Sequence, residues 1–74
     1  MNTEPIIYVN EYFETFNIYG FKNKYDEFIL KVEKITINDQ VKPVLFLYFE
    51  NEKDLDISTK DFIKMIKKAG FKKL

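Results

Sequence analysis

The side chains able to do chemistry in this chain are carboxylates, lysines, tyrosines and a few hydroxyls. All twelve basic residues are lysine, and histidine, cysteine, arginine and tryptophan are absent. Without imidazole or thiol there is no group that titrates near neutrality unaided and no ready thiolate nucleophile. The adjacent pair Asp26-Glu27 implies no cleft of the kind two glycosidase carboxylates need. The sequence therefore points away from an enzyme, and no catalytic residue is assigned. Glu50, Glu52, Asp54 and Asp56 alternate like a calcium loop. The sixth position of that run is Leu55, where an EF-hand needs glycine, and the twelfth is Asp61, so neither a metal site nor a cofactor is expected. On alternate positions these carboxylates read as the wet side of a strand end that discourages edge pairing.

The residues left as binding candidates are a lysine row, Lys60, Lys64, Lys67 and Lys68, and the aromatic pair Phe46 and Tyr48. Lysines could track phosphates while aromatic rings stack on bases. Against this, lysines near a helix C-terminus simply complement its dipole, and phosphate-gripping proteins usually carry net positive charge and arginine. This chain has a formal net charge of zero. Its eight phenylalanines and five tyrosines are more aromatic area than 74 residues easily cover, which favours a protein-contact surface.

The positions of these groups depend on the elements that carry them. Ile57 to Lys72 reads as an amphipathic helix with both ends signed. Ser58 is placed as N-cap with Asp61 completing a capping box, and Ile57 and Phe62 form the staple. Gly70 supplies a left-handed stop that returns Phe71 toward Ile66. Phe62, Met65, Ile66 and Ala69 share one face and the lysines another. From Met1 to Phe21, Ile6, Val9, Tyr12, Phe13 and Phe16 follow a three-and-four spacing that predicts an N-terminal helix over 4–19, although the residue types favour a strand. Thr3 is its cap, Glu4 and Pro5 suit its first turn, and Gly20-Phe21-Lys22 is its stop, with Phe21 returning to Phe16.

Tyr25 to Asn38 alternates as a strand, Asn38-Asp39-Gln40 turns, and Val44 to Glu50 is a second strand that Pro43 can open but not continue. A turn centred near Gln40 sets Lys31 opposite Glu50, Ile35 opposite Phe46 and Val32 opposite Phe49. One hairpin face then carries Ile35, Ile37, Val44, Phe46 and Tyr48, and the other Leu30, Val32, Leu45, Leu47 and Phe49. Both faces need cover. Asp54 to Ile57 could add a short third strand; otherwise a second copy or a partner must supply the cover, and a homodimer is expected. Residues 1 to 21 hold Glu4, Glu11 and Glu14 without a lysine, whereas 58 to 74 hold six lysines against Asp61, so the two ends are oppositely charged.

Two resemblances concern the C-terminal region. L-D-I-S followed by T-K-D-F-I-K-M-I, residues 55 to 66, resembles the strand-into-helix ending of the single-strand-binding transcriptional coactivators, which implies a small sheet and terminal helix binding single-stranded DNA as a dimer. The helix, strands, helix order with Ser58-Thr59-Lys60 resembles a double-stranded-RNA-binding domain, although Phe62 and Ile63 stand where that family places small residues. Neither assigns a family.

The expectation is thus one α+β domain over 1–74, with an N-terminal helix, an antiparallel hairpin or three-stranded sheet, and a C-terminal amphipathic helix. Its expected role is that of a small non-catalytic protein-binding module. Richness in Lys, Asn, Ile and Phe suggests a phage or mobile-element protein that inhibits or redirects a host protein. The alternative is a single-stranded nucleic-acid-binding protein. With no basic leader at Met1 and no long apolar run, a cytoplasmic, membrane-free protein is expected.

Overall fold

Three versions of one five-residue turn build this fold. In the first, the Asn10 side-chain oxygen accepts the N–H groups of Tyr12 and Glu14 at 3.0 and 2.9 Å, and its Nδ2 donates to Glu14 Oε1 at 2.9 Å. In the second, Asn23 does the same toward Tyr25 and Glu27 at 2.9 and 3.0 Å, with Nδ2 donating to Glu27 Oε1 at 3.0 Å. The third replaces asparagine by Thr36, whose Oγ1 accepts the Gln40 N–H at 3.3 Å. In each, the first N–H donates to the fifth carbonyl, and the fourth residue (Phe13, Asp26 or Asp39) is left-handed with φ of 62°, 63° or 59°. This is the three-residue hairpin loop that ends in a left-handed residue.

Residues 4–74 are described by the computed structural model. The turns join β1 (Ile6–Val9), β2 (Thr15–Lys22), β3 (Phe28–Ile35) and β4 (Val41–Phe49), followed by α1 (Glu52–Lys68) and the short β5 (Lys72–Lys73). The five strands form one antiparallel sheet in the order β4-β3-β2-β1-β5, because the chain leaving α1 returns beside β1. One face of the sheet is covered by α1. Tyr8, Ile18, Leu30 and Val32 from the strands meet Leu55, Phe62 and Ile66 from α1 and Phe71 beyond it in one buried cluster.

The predicted N-terminal helix does not exist. Among the described residues that segment is β1, a turn and β2, and Thr3, read as its cap, lies outside them. Ile6 and Phe16 share a face by simple alternation across the hairpin, but Val9 lies on the other face and Tyr12 and Phe13 lie in the turn, so the three-and-four spacing marks no single surface. Asn10 binds the backbone ahead of it and closes a turn instead. Gly20 is not a helix stop but lies within β2 under α1, where a Cβ would stand 3.7 Å from Leu55 Cδ2. Asp54 to Ile57 is helical, so the sheet's additional strands come from the N-terminus and from β5.

The β3–β4 register also differs. The turn spans Thr36 to Gln40 and β4 carries an irregularity opposite Val32/Glu33, so Lys31 faces Phe46, Val32 faces Leu45 and Ile35 faces Val41. Pro43 lies inside β4, which is tolerated because β4 is an edge strand.

Helix α1 begins six residues before Ser58. Asn51 is the N-cap, accepting from the Asp54 N–H at 2.9 Å while its Nδ2 donates to Asp54 Oδ2 at 3.1 Å, and Glu52 and Asp54 suit the positive helix end. Asn51→Ala is expected to cost about 1 kcal/mol in urea denaturation, whereas Ser58→Ala should cost much less. The opposite ranking would place the helix start at Ser58. The other end stops as its sequence indicates: Gly70 has φ 95°, the Phe71 N–H reaches the Ile66 carbonyl at 3.0 Å, and the Gly70 N–H reaches that of Lys67 at 3.1 Å.

Of the three left-handed positions, Phe13 is the strained one. An aspartate tolerates this conformation, but an aromatic residue gains nothing locally from it, and Phe13 is 80% exposed. Phe13→Gly is expected to raise stability by about 1 kcal/mol, read as a higher urea midpoint. A lower midpoint would show that the ring is held by contacts stronger than the strain.

Candidate binding surface

The two groups of candidate residues lie on opposite layers. Leu55, Phe62 and Ile66 turn into the core, which at 100° per residue carries Lys60, Lys64, Lys67 and Lys68 to the outer side of α1, where all four are exposed. Lys67 still leans over the Tyr8 ring, its Nζ 6.0 Å from the centroid. Phe46 and Tyr48 alternate along β4 with Leu45 and Leu47, which pair with Val32 and Leu30 on the helix-covered face. Their rings therefore occupy the other face. A single surface combining the lysine row with these rings is not formed within one chain.

The helix-free face has its own aromatic layer. Tyr19 and Phe21 of β2 flank Lys31 and Ile29 of β3, which in turn face Phe46 and Tyr48 of β4. The Phe46 and Tyr48 rings meet edge-on at 5.3 Å, and Lys31 lies over Tyr19, its Nζ 5.4 Å from the centroid, while bonding Glu33 at 3.1 Å. Beneath them Ile29 is 1% exposed although no helix lies above it. Beside these rings Lys31 and Glu33 neutralise each other, while Lys72, opposite Val9 on the same face, stands at the far edge of the sheet.

At the end of the layer stands β4, nine residues long, with no strand beyond it among the described residues. Val44, Phe46, Leu47 and Tyr48 are 43%, 50%, 42% and 58% exposed, so both of its faces offer apolar surface. Lys42 is the only charge within it. Pro43 and the irregularity guard one half of the edge, and nothing comparable guards Leu45 to Phe49.

The acidic run does not converge. Glu52 and Asp54 serve the first turn of α1, and no group of three or more carboxylates close enough to hold a metal ion occurs among the described residues. Among those residues Glu11 and Glu14 make no ion pair with the basic C-terminal stretch. Glu14 instead pairs with Lys34 at 3.0 Å, and the Asn10 amide together with Lys34 holds its carboxyl below the ordinary range, closing the first turn. No described helix is long and apolar enough to cross a membrane.

Compared with family models, curated proteins and solved structures, the chain finds no match. The two resemblances of residues 55 to 66 weaken on the geometry. That segment is uninterrupted helix instead of strand entering helix, and among the described residues no helix precedes the strands as a double-stranded-RNA-binding domain requires.

Sequence reasoning separated Phe46 and Tyr48 from Leu45, Leu47 and Phe49 correctly by alternation. It missed the turns that create the surface. The signal was present in N-E-Y-F-E and N-K-Y-D-E, residues 10–14 and 23–27, where an asparagine and a glutamate four residues later close successive hairpins.

Proposed function

We propose that this protein is a non-catalytic protein-binding module whose contact element is the edge strand β4 with the aromatic face beside it. The observation that carries the reading is an edge strand, paired on one side only among the described residues, that exposes Val44, Phe46, Leu47 and Tyr48 together. Open backbone groups along such a strand give affinity by adding a partner strand, and alternate side chains give selectivity. A small module of this kind acts as an adaptor or as an inhibitor that occupies its target's own sheet edge, the role expected of a phage or mobile-element protein that redirects a host protein.

The nucleic-acid alternative is less well supported, because the stacking rings and the lysine row face opposite ways and Lys31, the lysine beside the rings, is paired with Glu33.

A photo-crosslinking residue at Tyr48, compared with one at Lys64, tests the proposal in the native host. Protein adducts from position 48 and few from position 64 support it. Tight oligonucleotide binding that falls steeply with salt and is lost when Lys60, Lys64, Lys67 and Lys68 become glutamine overturns it.

A further inference from the structure

We propose that the end of the sheet carrying the first and third turns docks on an anionic lipid surface, with Tyr12, Phe13 and Ile37 at the contact and lysines around them. The register sets both turns at one height. Lys72, Val9, Thr15, Ile35 and Val41 are successive partners across β5, β1, β2, β3 and β4, so a single rung crosses the whole sheet. Residues 10–14 and 36–40 both rise from it, about 10 Å apart at two strand spacings. Beyond the rung, Tyr12, Phe13 and Ile37 are 67%, 80% and 67% exposed.

The lysines stand just behind these tips. Lys72 is on the rung itself, the next rung carries Lys73, Lys34 and Lys42, and α1 ends nearby with Lys67 and Lys68. Tyr12 and Lys72 line one open cavity of about 440 Å³ together with Ala69 and Gly70, which sets the first turn against the end of the helix. Against these six lysines the two turns hold Glu11, Glu14 and Asp39, with Glu14 paired to Lys34, so this end is net positive. At the opposite end α1 begins with Glu52, Asp54 and Asp56 against Lys53. The neutral total is therefore polarised along the strands, and the positive pole coincides with the apolar tips.

The fourth position of the turns gives an independent sign. Two of them place aspartate there, whereas the first holds Phe13 left-handed with its ring in water. That ring adds strain without entering the core, and a contact outside the chain accounts for it.

A bilayer surface matches both the charge and the tips. Its headgroups attract lysines as point charges, and the layer beneath accepts rings and a branched aliphatic side chain carried on short turns. A nucleic acid would engage the lysines and stack on the rings but offers nothing to Ile37. No spanning helix is required. The strands then stand upright on the surface with the edge of β4 still open, so this inference goes beyond the proposed protein contact and does not depend on it.

The chain has no tryptophan, so a single introduced indole reports the contact. Phe13→Trp is expected to shift its emission to the blue on mixed phosphatidylcholine and phosphatidylserine vesicles and to be quenched by brominated acyl chains. Pure phosphatidylcholine should bind at least about tenfold more weakly, and salt should weaken binding to the mixed vesicles. Tyr25→Trp, on the second turn at the opposite end, should not shift. In vesicle sedimentation, changing Lys67, Lys68 and Lys72 together to glutamine should weaken binding about tenfold or more. Phe13→Gly should weaken it too while raising the urea midpoint, which separates loss of contact from loss of fold. An unshifted Phe13→Trp on anionic vesicles at low salt overturns the proposal, and so does an equal shift for Tyr25→Trp. Oligonucleotide binding as tight as vesicle binding at the same salt overturns the assignment to lipid.

Discussion

Phe62→Ala is expected to cost about 3–5 kcal/mol and to leave the chain largely unfolded at 37 °C. Phe62 is 7% exposed, and its ring stands edge-on to Phe16 at 5.5 Å, while Phe16 also packs on Phe71 at 4.7 Å. That trio ties α1, β2 and the segment beyond α1 together, so truncation at the centre opens a cavity bordered by three elements. Collapse is difficult there, since Leu55 and Ile66 on either side are held by the same sheet residues. A small domain has only a few kcal/mol in total stability, so this loss is of the same order as the whole. Ile63→Ala, half-buried at the margin of the cluster, should cost clearly less in the same urea titration. A loss below about 1 kcal/mol for Phe62→Ala would mean that α1 does not dock on this face.

The contrast between the two ends of the chain shows what the sequence could disclose. The stop at Gly70 was readable because its chemistry is local: a left-handed glycine and two backbone bonds lie within six residues. The start of the same helix was misread because Ser58 and Asp61 make a plausible cap, while Asn51 and Asp54 make one too, and only the second begins a turn that can carry Leu55 into the core. At the N-terminus, propensity favoured strand and spacing favoured helix. Propensity was right there, because Asn10 diverts the backbone before a helical turn can close.

For the binding surface, the split of β4 into two apolar faces followed from alternation, but its place at the edge could not. Strand order is non-local. It depends on Lys72 and Lys73 returning to pair with Val9 and Tyr8, which fills the far side of β1 and leaves β4 bare. The expected excess of apolar surface does lie outside the core: Tyr12, Phe13, Tyr25, Phe46 and Tyr48 are exposed. Two of these five stand together on β4, which is why that strand and not the turns carries the proposed protein contact.

Ile29→Ala is expected to cost about 2–4 kcal/mol, nearly as much as truncation beneath the helix, although nothing but side chains covers it. A single-layer face normally leaves its residues half wet, and Ile7 on the same face is indeed half-buried. Ile29 escapes because its rung partners are Phe21 and Tyr48, and Tyr19 and Phe46 stand one rung along, so four rings surround one branched aliphatic side chain. Lys31 contributes its alkyl stem while its ammonium stays at Glu33 and over Tyr19. If this cover is wholly intramolecular, the cost should be independent of protein concentration. Ile7→Ala should cost less than half as much. A cost that changes with protein concentration would show that a second copy contributes to the cover. Equal costs at all concentrations would show that the aromatic layer is already assembled within the chain, so that a partner at β4 meets a finished surface and requires no refolding at the edge.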